Sequence, residues 1–581
     1  MNETADSQRA ALQKHLEALE REYNPDLHLY GHTSGNPWWM SHIPEGRRVH
    51  GMLENLYNTI ALLESGEPLH VVRANKVLSR VLSQQDTDLV NPWYGVWGRY
   101  YEEPAEKVPM PERLGCDFEG AALAHILVEH GAKLSPDVRR KAYEAMERVG
   151  WAIFRRNVGV AYSNIAVMGA CVSLAAGEVL NEPRLMAYGR RKLGRLVDHT
   201  VHNGGFTEWN SPTYTRVVLN ECERIMQLIQ DPGARAEAER LRRTAWEEVA
   251  HYFHPGTQQW GGPHSRAYAD RLTPDAVADL SSKIGLPIRL HPAMGDPHVG
   301  GWSFLHKLPC PEDLIPRFRR LPEEEMTVHR LVIKGDPGED DFVTTTWFTE
   351  DACLGSVNLE DLWFQRRTVL GYWRTPDDPA VVLRVRFLHD LYDFSSAYAR
   401  NAQEDSRVLT AFGLLTDMGD RIAHLDRPAD GLFEAGDFRI RYELIGAGVS
   451  ARQLDAGRYE LAAGPRKAIV HAEGGRFGSN EVAWQLGREE GRVFVDGICY
   501  QGPRKKFDLV KVGEVAVAGG LEVLGAGDAP ANTSPQLVEG RARPDCFTAS
   551  WAVGDGLVVT GPMNAIAYPG YKGGDKKRAN A

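Results

Sequence analysis

The chain has 581 residues, a length that favours two large domains over one hydrophobic core. Its composition, 43% hydrophobic and 25% charged, is that of an ordinary globular protein, and no unbroken apolar run is long enough for a membrane helix. The formal net charge of −11 disfavours nucleic acid as a partner, because a phosphate backbone needs a concentrated basic surface.

Apolar residues recur at helical spacing from the N-terminus to about residue 290. Several of these segments start with proline, as at Ser135-Pro136 and Glu182-Pro183, where a missing N–H costs nothing. Helical hairpins in series can close into a ring, so we expect an (α/α) toroid. The nine predicted helices cover 10–23, 52–64, 74–82, 118–130, 136–154, 164–180, 183–199, 212–229 and 234–252.

After about residue 325 the pattern changes to short β-branched and aromatic runs separated by turn residues. The clearest runs are 327–333, 342–348, 367–373, 380–387, 438–444, 492–495 and 557–560. Such runs predict an antiparallel β-sandwich. We therefore expect a helical catalytic domain over 1–320, with a Pro- and Gly-rich hinge at 287–321, a β-sandwich domain over 325–565 and a charged tail over 566–581.

The N-terminal segment lacks the features of a secretory signal, which predicts a cytoplasmic protein, or a periplasmic or secreted one if a leader has been removed. Seven scattered cysteines without a CxxC spacing favour buried thiols over disulfides or a cysteine zinc site. No cofactor is predicted. A divalent metal stays open, because five histidines lie around the hinge without clear ligand spacing: His251, His254, His264, His298 and His306.

One loop, 202–214, combines two glycines, alternating aromatic and polar residues, and Pro212 at a helix start. Tyr214 would then lie in the first turn of that helix, where the helix dipole favours a phenolate and would lower its pKa. The alternative is a tyrosine packed beneath a loop. Glu208 and Asn210 of the same loop are candidate substrate-binding residues.

This loop resembles a segment of heparinase II/III-like lyases and related alginate lyases, in which a tyrosine is the catalytic acid or base. Tyr214 matches that position, and Asn164 in Tyr162-Ser163-Asn164-Ile165 matches an asparagine that binds the uronate carboxylate. Some alginate lyases have a histidine after this asparagine, where the present chain has Ile165. The resemblance implies a toroid followed by a β-sandwich, and it leaves the histidine role vacant.

The loop 261–270 is our candidate source of that histidine, because it carries His264, Arg266, Tyr268 and Asp270 after two glycines. A hydrogen-bonded structural loop is the alternative. His264 is therefore a candidate catalytic residue, with Arg266 and Tyr268 as candidate substrate-binding residues.

Two further segments could contact sugar. The segment 91–103 resembles the aromatic strip in the cleft of toroid lyases; Trp97 and Tyr100 could stack on sugar rings, and Arg99 could pair with an acid group. Trp38 and Trp39 would extend the strip. In the β half, Arg366 lies at a strand start from which a loop could reach the toroid. Core packing and a solvated turn are the alternatives.

These residues predict a polysaccharide lyase that cleaves a uronic-acid polymer, of glycosaminoglycan or alginate type, by β-elimination. An acidic polysaccharide or oligosaccharide is the expected partner, and neither a membrane nor nucleic acid is. The oligomeric state is left open. Two other classes remain: a glycoside hydrolase using Glu208 with Asp270 or Glu102, and a non-catalytic sugar-binding protein.

Overall fold

A computed structural model describes residues 2–35, 41–108, 115–295, 308–422, 430–539 and 545–568. All nine predicted helices are present, with ends shifted by a few residues in most cases, and the short helices α10 and α11 were not predicted. The helices are α1 (Asn2–Leu19), α2 (Met52–Ser65), α3 (Pro68–Leu82), α4 (Gly115–His130), α5 (Pro136–Arg156), α6 (Ser163–Val179), α7 (Pro183–Asn203), α8 (Tyr214–Leu228), α9 (Pro232–Tyr252), α10 (Pro274–Ile284) and α11 (Ile315–Arg319).

Helices α2 to α9 form four hairpins arranged in two layers. Helices α2, α4, α6 and α8 contact one another in series, and α3, α5, α7 and α9 form a second series outside them. In α6 every residue from Ser163 to Gly177 is buried, as expected of an inner helix covered on all sides, whereas α5 buries one face only. This alternation of inner and outer helices is the architecture of an (α/α) toroid.

Local sequence signals set many of these helix ends. Helices α3, α5, α7, α9 and α10 carry proline in the first turn, and the side chains of Glu182 and Asp231 accept backbone N–H groups at the starts of α7 and α9. Gly204 ends α7 in the left-handed conformation, with φ of 73°, which favours glycine. The loop that carries Glu208 starts directly after it.

Short strand pairs lie within the helical half, and longer strands fill the chain from Glu325 onward. The strands are β1 (Tyr23–Asn24), β2 (Leu29–Tyr30), β3 (His32–Thr33), β4 (Arg48–Val49), β5 (Phe253–His254), β6 (Gln259–Trp260), β7 (Glu325–Ile333), β8 (Phe342–Thr349), β9 (Ala352–Val357), β10 (Leu359–Asp361), β11 (Val369–Trp373), β12 (Val381–His389), β13 (Tyr392–Asp393), β14 (Ala397–Glu404), β15 (Arg407–Leu414), β16 (Leu432–Ile445), β17 (Ser450–Gln453), β18 (Arg458–Ala463), β19 (Arg466–Phe477), β20 (Asn480–Glu481), β21 (Ala483–Glu489), β22 (Arg492–Asp508), β23 (Val515–Gly525), β24 (Gln536–Glu539), β25 (Cys546–Trp551) and β26 (Leu557–Pro562).

Two large antiparallel sheets make up the β half. One has the order β10-β14-β15-β23-β19-β18-β17, with β20 beside β19, and the other has the order β21-β22-β16-β12-β11-β9-β8-β7, with β13 beside β12. Leu383 and Ile440 of the second sheet share a buried cluster with Phe412 and Leu521 of the first, so the sheets pack face to face as a β-sandwich. A small sheet, β24-β25-β26, completes this half.

The fold class is therefore that predicted, a helical toroid followed by an antiparallel β-sandwich. The boundaries 1–320 and 325–565 stay a prediction. The residues 569–581 of the predicted tail lie outside the described part of the chain, as do Trp38, Trp39, His298 and His306. Within the described part, no helix is both long and apolar enough to cross a bilayer.

The loop 261–270 joins the two halves by backbone pairing. The N–H of His264 donates to the carbonyl of Arg367 at 3.0 Å, the N–H of Arg367 donates back to His264 at 3.0 Å, and Ala267 N–H donates to Gln365 at 2.8 Å. These bonds extend the strand-like pairing of the sandwich to the helical half. They hold the side chains of this loop beside the start of α8.

Candidate active site

Tyr214 is the first residue of α8, as its position after Pro212 predicts. The backbone N–H of Tyr214 donates to Ser211 Oγ at 2.9 Å, and Ser211 Oγ donates to the carbonyl of Arg266 at 2.6 Å. This hydroxyl group fixes the start of α8 against the loop 261–270. As a result the side chains of Tyr214 and Arg266 lie together.

Arg266 is the centre of the site. Its Nη2 donates to the Tyr214 hydroxyl at 2.9 Å, its Nη1 donates to Glu208 Oε1 at 2.6 Å, and its Nε donates to Gln365 Oε1 at 2.7 Å. The guanidinium carbon also lies 3.9 Å from the centre of the Tyr214 ring. Among the described residues these bonds use three of the five N–H groups of the guanidinium.

Glu208 connects Arg266 to the start of α6. Its Oε2 accepts hydrogen bonds from the backbone N–H of Asn164 at 2.9 Å and from Asn164 Nδ2 at 2.6 Å. The carboxylate therefore satisfies an N–H group of the first turn of α6, where a negative charge is favoured. Asn164 and Tyr214, which lie fifty residues apart in the sequence, are linked in this way through Glu208 and Arg266.

Tyr268 is the most exposed residue of this network. Tyr214, Arg266 and Glu208 are 9%, 8% and 7% exposed, whereas Tyr268 is 54% exposed. The two tyrosine hydroxyl groups lie 2.8 Å apart. Tyr268 is thus the member of the network that a ligand would meet first.

Burial governs the protonation of Tyr214. It raises the pKa of this phenol well above its ordinary value, although the positive charge of Arg266 acts in the opposite direction. The expectation of a lowered pKa for Tyr214 is therefore wrong, because desolvation of the buried hydroxyl is the largest effect on it. Tyr214 is a neutral phenol in the resting protein.

His264 has different surroundings from Tyr214. Nδ1 of its ring lies 2.8 Å from the carbonyl oxygen of Asn210, and the residue is 2% exposed. Burial lowers the pKa of His264 to about 3, so the ring is neutral. His264 thus belongs to the joint between the two halves, which is the backbone pairing of the loop 261–270 with Gln365 and Arg367. Its role as a catalytic base stays a prediction.

Asn210, with a φ of 43°, also belongs to that joint. Its Nδ2 donates to the carbonyls of Gly261 and Pro263 at 2.9 and 2.5 Å, and its Oδ1 accepts from Trp260 Nε1 at 2.5 Å. The side chain is fully buried, and both its amide nitrogen and its oxygen are hydrogen-bonded. It therefore holds the loop 261–270 in place. Its predicted contact with substrate stays a prediction.

The predicted aromatic strip is largely buried. Trp97 is 3% exposed and donates from Nε1 to the carbonyl of Val81 at 2.9 Å, and Tyr100 is 2% exposed. The Arg99 guanidinium lies 5.6 Å from the centre of the Tyr100 ring. Trp97 packs in the helical core and Tyr100 is buried. Their stacking on sugar rings and the pairing of Arg99 with an acid group stay predictions.

Arg366 is tied to acidic and backbone groups of its own region. Its Nε lies 3.3 Å from both Glu360 Oε1 and Asp361 Oδ1, and its Nη1 donates to the carbonyl of Ser265. It therefore supports the loop that carries Arg266. Beside it, Gln365 bonds Arg266 directly, and no sequence pattern had indicated this residue because a lone glutamine before two arginines resembles any solvated turn.

The hinge histidines in the described part of the chain, His251, His254 and His264, do not gather into a metal-binding cluster. His254 bonds Thr257 Oγ1 and the carbonyl of Thr349 through its two ring nitrogens, each at 2.8 Å. Three metal-binding side chains do converge elsewhere, in Glu64, His125 and His130.

Comparisons with known proteins give the following similarities. A family model described as a domain of unknown function, DUF8769, matches residues 30–280, which include Asn164, Glu208, Tyr214 and Arg266. The sequence matches none of the curated proteins with which it was compared.

Solved lyase structures resemble the chain over most of its length. A crystal structure of heparinase III has 11% identity and a TM-score of 0.43, covering 91% of this chain and 85% of that one. The Streptomyces coelicolor A3 chondroitin AC lyase in complex with chondroitin sulphate has 10% identity and a TM-score of 0.43, covering 88% of this chain and 80% of that one. A chondroitinase AC lyase from a study of enzyme–oligosaccharide complexes has 10% identity and a TM-score of 0.40, covering 94% and 87%. At these scores the similarity carries no information on substrate or residue roles.

Proposed function

We propose that the protein cleaves a uronic-acid polysaccharide by β-elimination, with Tyr214 as the group that transfers the proton. The observation that carries this proposal is the position of the Tyr214 hydroxyl between a buried guanidinium and a partly exposed phenol. Arg266 Nη2 lies 2.9 Å from this hydroxyl, and the Tyr268 hydroxyl lies 2.8 Å from it. A structural tyrosine in an apolar core needs neither neighbour.

The first requirement of the reaction is neutralisation of the substrate carboxylate. The C5 proton of a uronate becomes acidic only when the negative charge that develops on the carboxylate is stabilised. The described contacts use three of the five N–H groups of Arg266, and the other two suit this task. Preorganised donors of this kind stabilise a transition state by several kcal/mol. Asn164 acts through Glu208, which holds the guanidinium in position.

Tyr214 then carries the proton from carbon to oxygen. Its phenolate, stabilised by Arg266, removes the C5 proton; the electron pair forms the C4=C5 bond, the C4–O4 bond breaks, and the new phenol protonates O4. The cycle regenerates the phenolate and needs no second base. Because burial raises the pKa of Tyr214, little phenolate exists at neutral pH, and activity should increase toward alkaline pH.

The carboxylates proposed for a hydrolase are all held by cationic or hydrogen-bonding partners. Glu208 is bound by Arg266 at 2.6 Å. Burial would raise the pKa of Asp270, but Arg367 and Arg384 outweigh it and lower that pKa well below the usual range. Hydrogen bonds from His50 likewise lower the pKa of Glu102 against the effect of burial. A hydrolase needs one carboxyl group that stays protonated, so these contacts favour elimination.

Incubation with a panel of glycosaminoglycans and alginates tests the proposal. Elimination produces an ultraviolet absorbance, because the new C4=C5 bond is conjugated with the carboxylate, whereas hydrolysis produces saturated reducing ends only. Saturated products from an active preparation would exclude the lyase function.

Tyr214→Phe tests the role of the hydroxyl. We expect turnover to decrease by about 10²- to 10⁴-fold with the fold retained, since proton transfer by a positioned side chain is worth that much. Tyr143→Phe, a partly buried tyrosine of α5, is the matched control and should keep full activity. Turnover by Tyr214→Phe within twofold of the unmodified protein would show that Tyr214 does not transfer the proton.

A further inference from the structure

Two histidines and a glutamate meet where α2 and α4 end. Glu64 lies in the last turn of α2, and His125 and His130 lie in the C-terminal part of α4. One ligand atom from each lies within 4.8 Å of the others. His130 Nε2 is 3.4 Å and His125 Nε2 is 4.0 Å from Glu64 Oε1.

The separation of 3.4 Å between His130 and Glu64 suits two ligands around an ion better than a hydrogen bond. Two other buried histidine–carboxylate pairs, His291 with Asp378 and His471 with Glu522, have N–O distances of 2.7 and 2.8 Å. Tetrahedral Zn²⁺, with bonds of about 2.0–2.1 Å, instead places its ligand atoms about 3.3 Å apart. The separation between His130 and Glu64 is close to that value.

Three of the four ring nitrogens of these histidines are buried without a hydrogen bond to a described residue. His125 and His130 are each 5% exposed, and the Nε2 atom of His125 and both ring nitrogens of His130 have no hydrogen-bond partner among the described residues. Buried polar atoms without partners are unfavourable, which calls for a bound species. Glu64, whose side chain is 27% exposed, provides an opening to solvent.

The local electrostatics favour a cation. The C-terminal ends of α2 and α4 both carry the negative end of the helix dipole. Two positive charges lie near the cluster: Arg224 is paired with Glu221 at 3.2 Å, and Lys133 donates from Nζ to the carbonyl of Leu63 at 2.6 Å.

We propose that Glu64, His125 and His130 bind one divalent transition-metal ion, with Zn²⁺ as the best match, and that this ion joins the ends of the inner helices α2 and α4. Two imidazoles and a carboxylate are a common zinc ligand set, and a water molecule would complete the tetrahedron. The site is distinct from that of Tyr214, since Tyr214 lies ten residues, or about 15 Å, before Arg224 along α8.

Metal titration of the full-length protein after chelator treatment tests this proposal. We expect one Zn²⁺ per chain in competition with a chromophoric chelator, and a higher unfolding temperature in its presence. Co²⁺ should give the visible absorption of a tetrahedral site without thiolate charge-transfer bands, because the seven cysteines are not in the ligand set. Absence of stoichiometric binding by the unmodified protein would overturn the proposal whether or not any variant folds.

Substitution of the ligands identifies the site. Glu64→Gln and His130→Gln should each weaken Zn²⁺ binding by more than about 100-fold, since even residues behind the ligands are worth about 10- to 100-fold. Glu129→Gln, an exposed carboxylate beside His130, and His70→Gln, near the end of α2, are the controls and should bind as the unmodified protein does. Unchanged binding by the two ligand variants would overturn the assignment.

Discussion

Removal of the negative charge of Glu208 should destabilise the helical half and abolish activity together. The Glu208 carboxylate accepts three described hydrogen bonds, one from Arg266 and two from Asn164, and both members of its ion pair have side chains only 9% exposed. In Glu208→Gln the amide has one acceptor oxygen and brings N–H donors toward groups that are themselves donors. Arg266 would keep its charge without compensation, and we expect a loss of about 3–5 kcal/mol in the free energy of unfolding.

Urea denaturation followed by far-ultraviolet circular dichroism, read in the transition of the helical half, measures this loss. The control is Glu144→Gln, which removes one member of the exposed pair with Arg140, and it should change stability by less than about 1 kcal/mol. The double variant Glu208→Gln/Arg266→Met removes both buried charges and should recover at least about 1 kcal/mol relative to additivity. A loss below 1 kcal/mol in Glu208→Gln, or strict additivity in the double variant, would refute the proposed coupling.

Two further predictions concern the joint between the halves. His264 binds no proton until the pH approaches 3, whereas an unfolded histidine binds one below about 6.5, so the native protein should lose about 1.4 kcal/mol per pH unit between these values. His264→Gln keeps a donor for the Asn210 carbonyl and should make stability less dependent on acid pH; an unchanged pH dependence of urea midpoints would contradict this. Gly355→Ala should destabilise the protein by about 1–3 kcal/mol, because the added Cβ would overlap the carbonyl of Gly262, whereas Gly159→Ala, which meets nothing within 4 Å, should be neutral. Equal denaturation midpoints for the two alanine variants would show that the two halves are not closely packed at Gly355 and Gly262.

The sequence predicts the helices of this fold better than it predicts some of the strands. The helices of the toroid have long apolar repeats and proline starts, and all nine predicted segments are helices. Strands β19 and β23 are not among the predicted runs, because paired glycines at 474–475 and 519–520 interrupt their apolar pattern. They pair with each other, and β23 also pairs with β15. Helix α10 is missed because eleven residues before a hinge give too few repeats.

The candidate site shows the same limit. Tyr214 and Asn164 are recognisable because each opens a helix after a loop, which is a local property. The links between them are not local: Gln365 reaches Arg266 over ninety-nine positions, and Glu208 reaches Asn164 over forty-four. The Glu64, His125 and His130 cluster is hidden for a related reason, since its histidines are five residues apart and the third ligand is on another helix.

The burial of Tyr214 and its proposed chemistry are consistent only if the four linked residues act as one unit. A buried phenol alone has a raised pKa and no reason to lose its proton, and a buried guanidinium alone is too unfavourable to be present. Glu208 makes the burial of Arg266 tolerable, Asn164 fixes the Glu208 carboxylate, and Arg266 in turn stabilises the Tyr214 phenolate. Substitutions along this series should therefore be non-additive in activity: once Tyr214→Phe has removed the proton carrier, loss of Glu208 should reduce turnover little further. Independent and multiplying losses would show that Glu208 acts on substrate by a separate route.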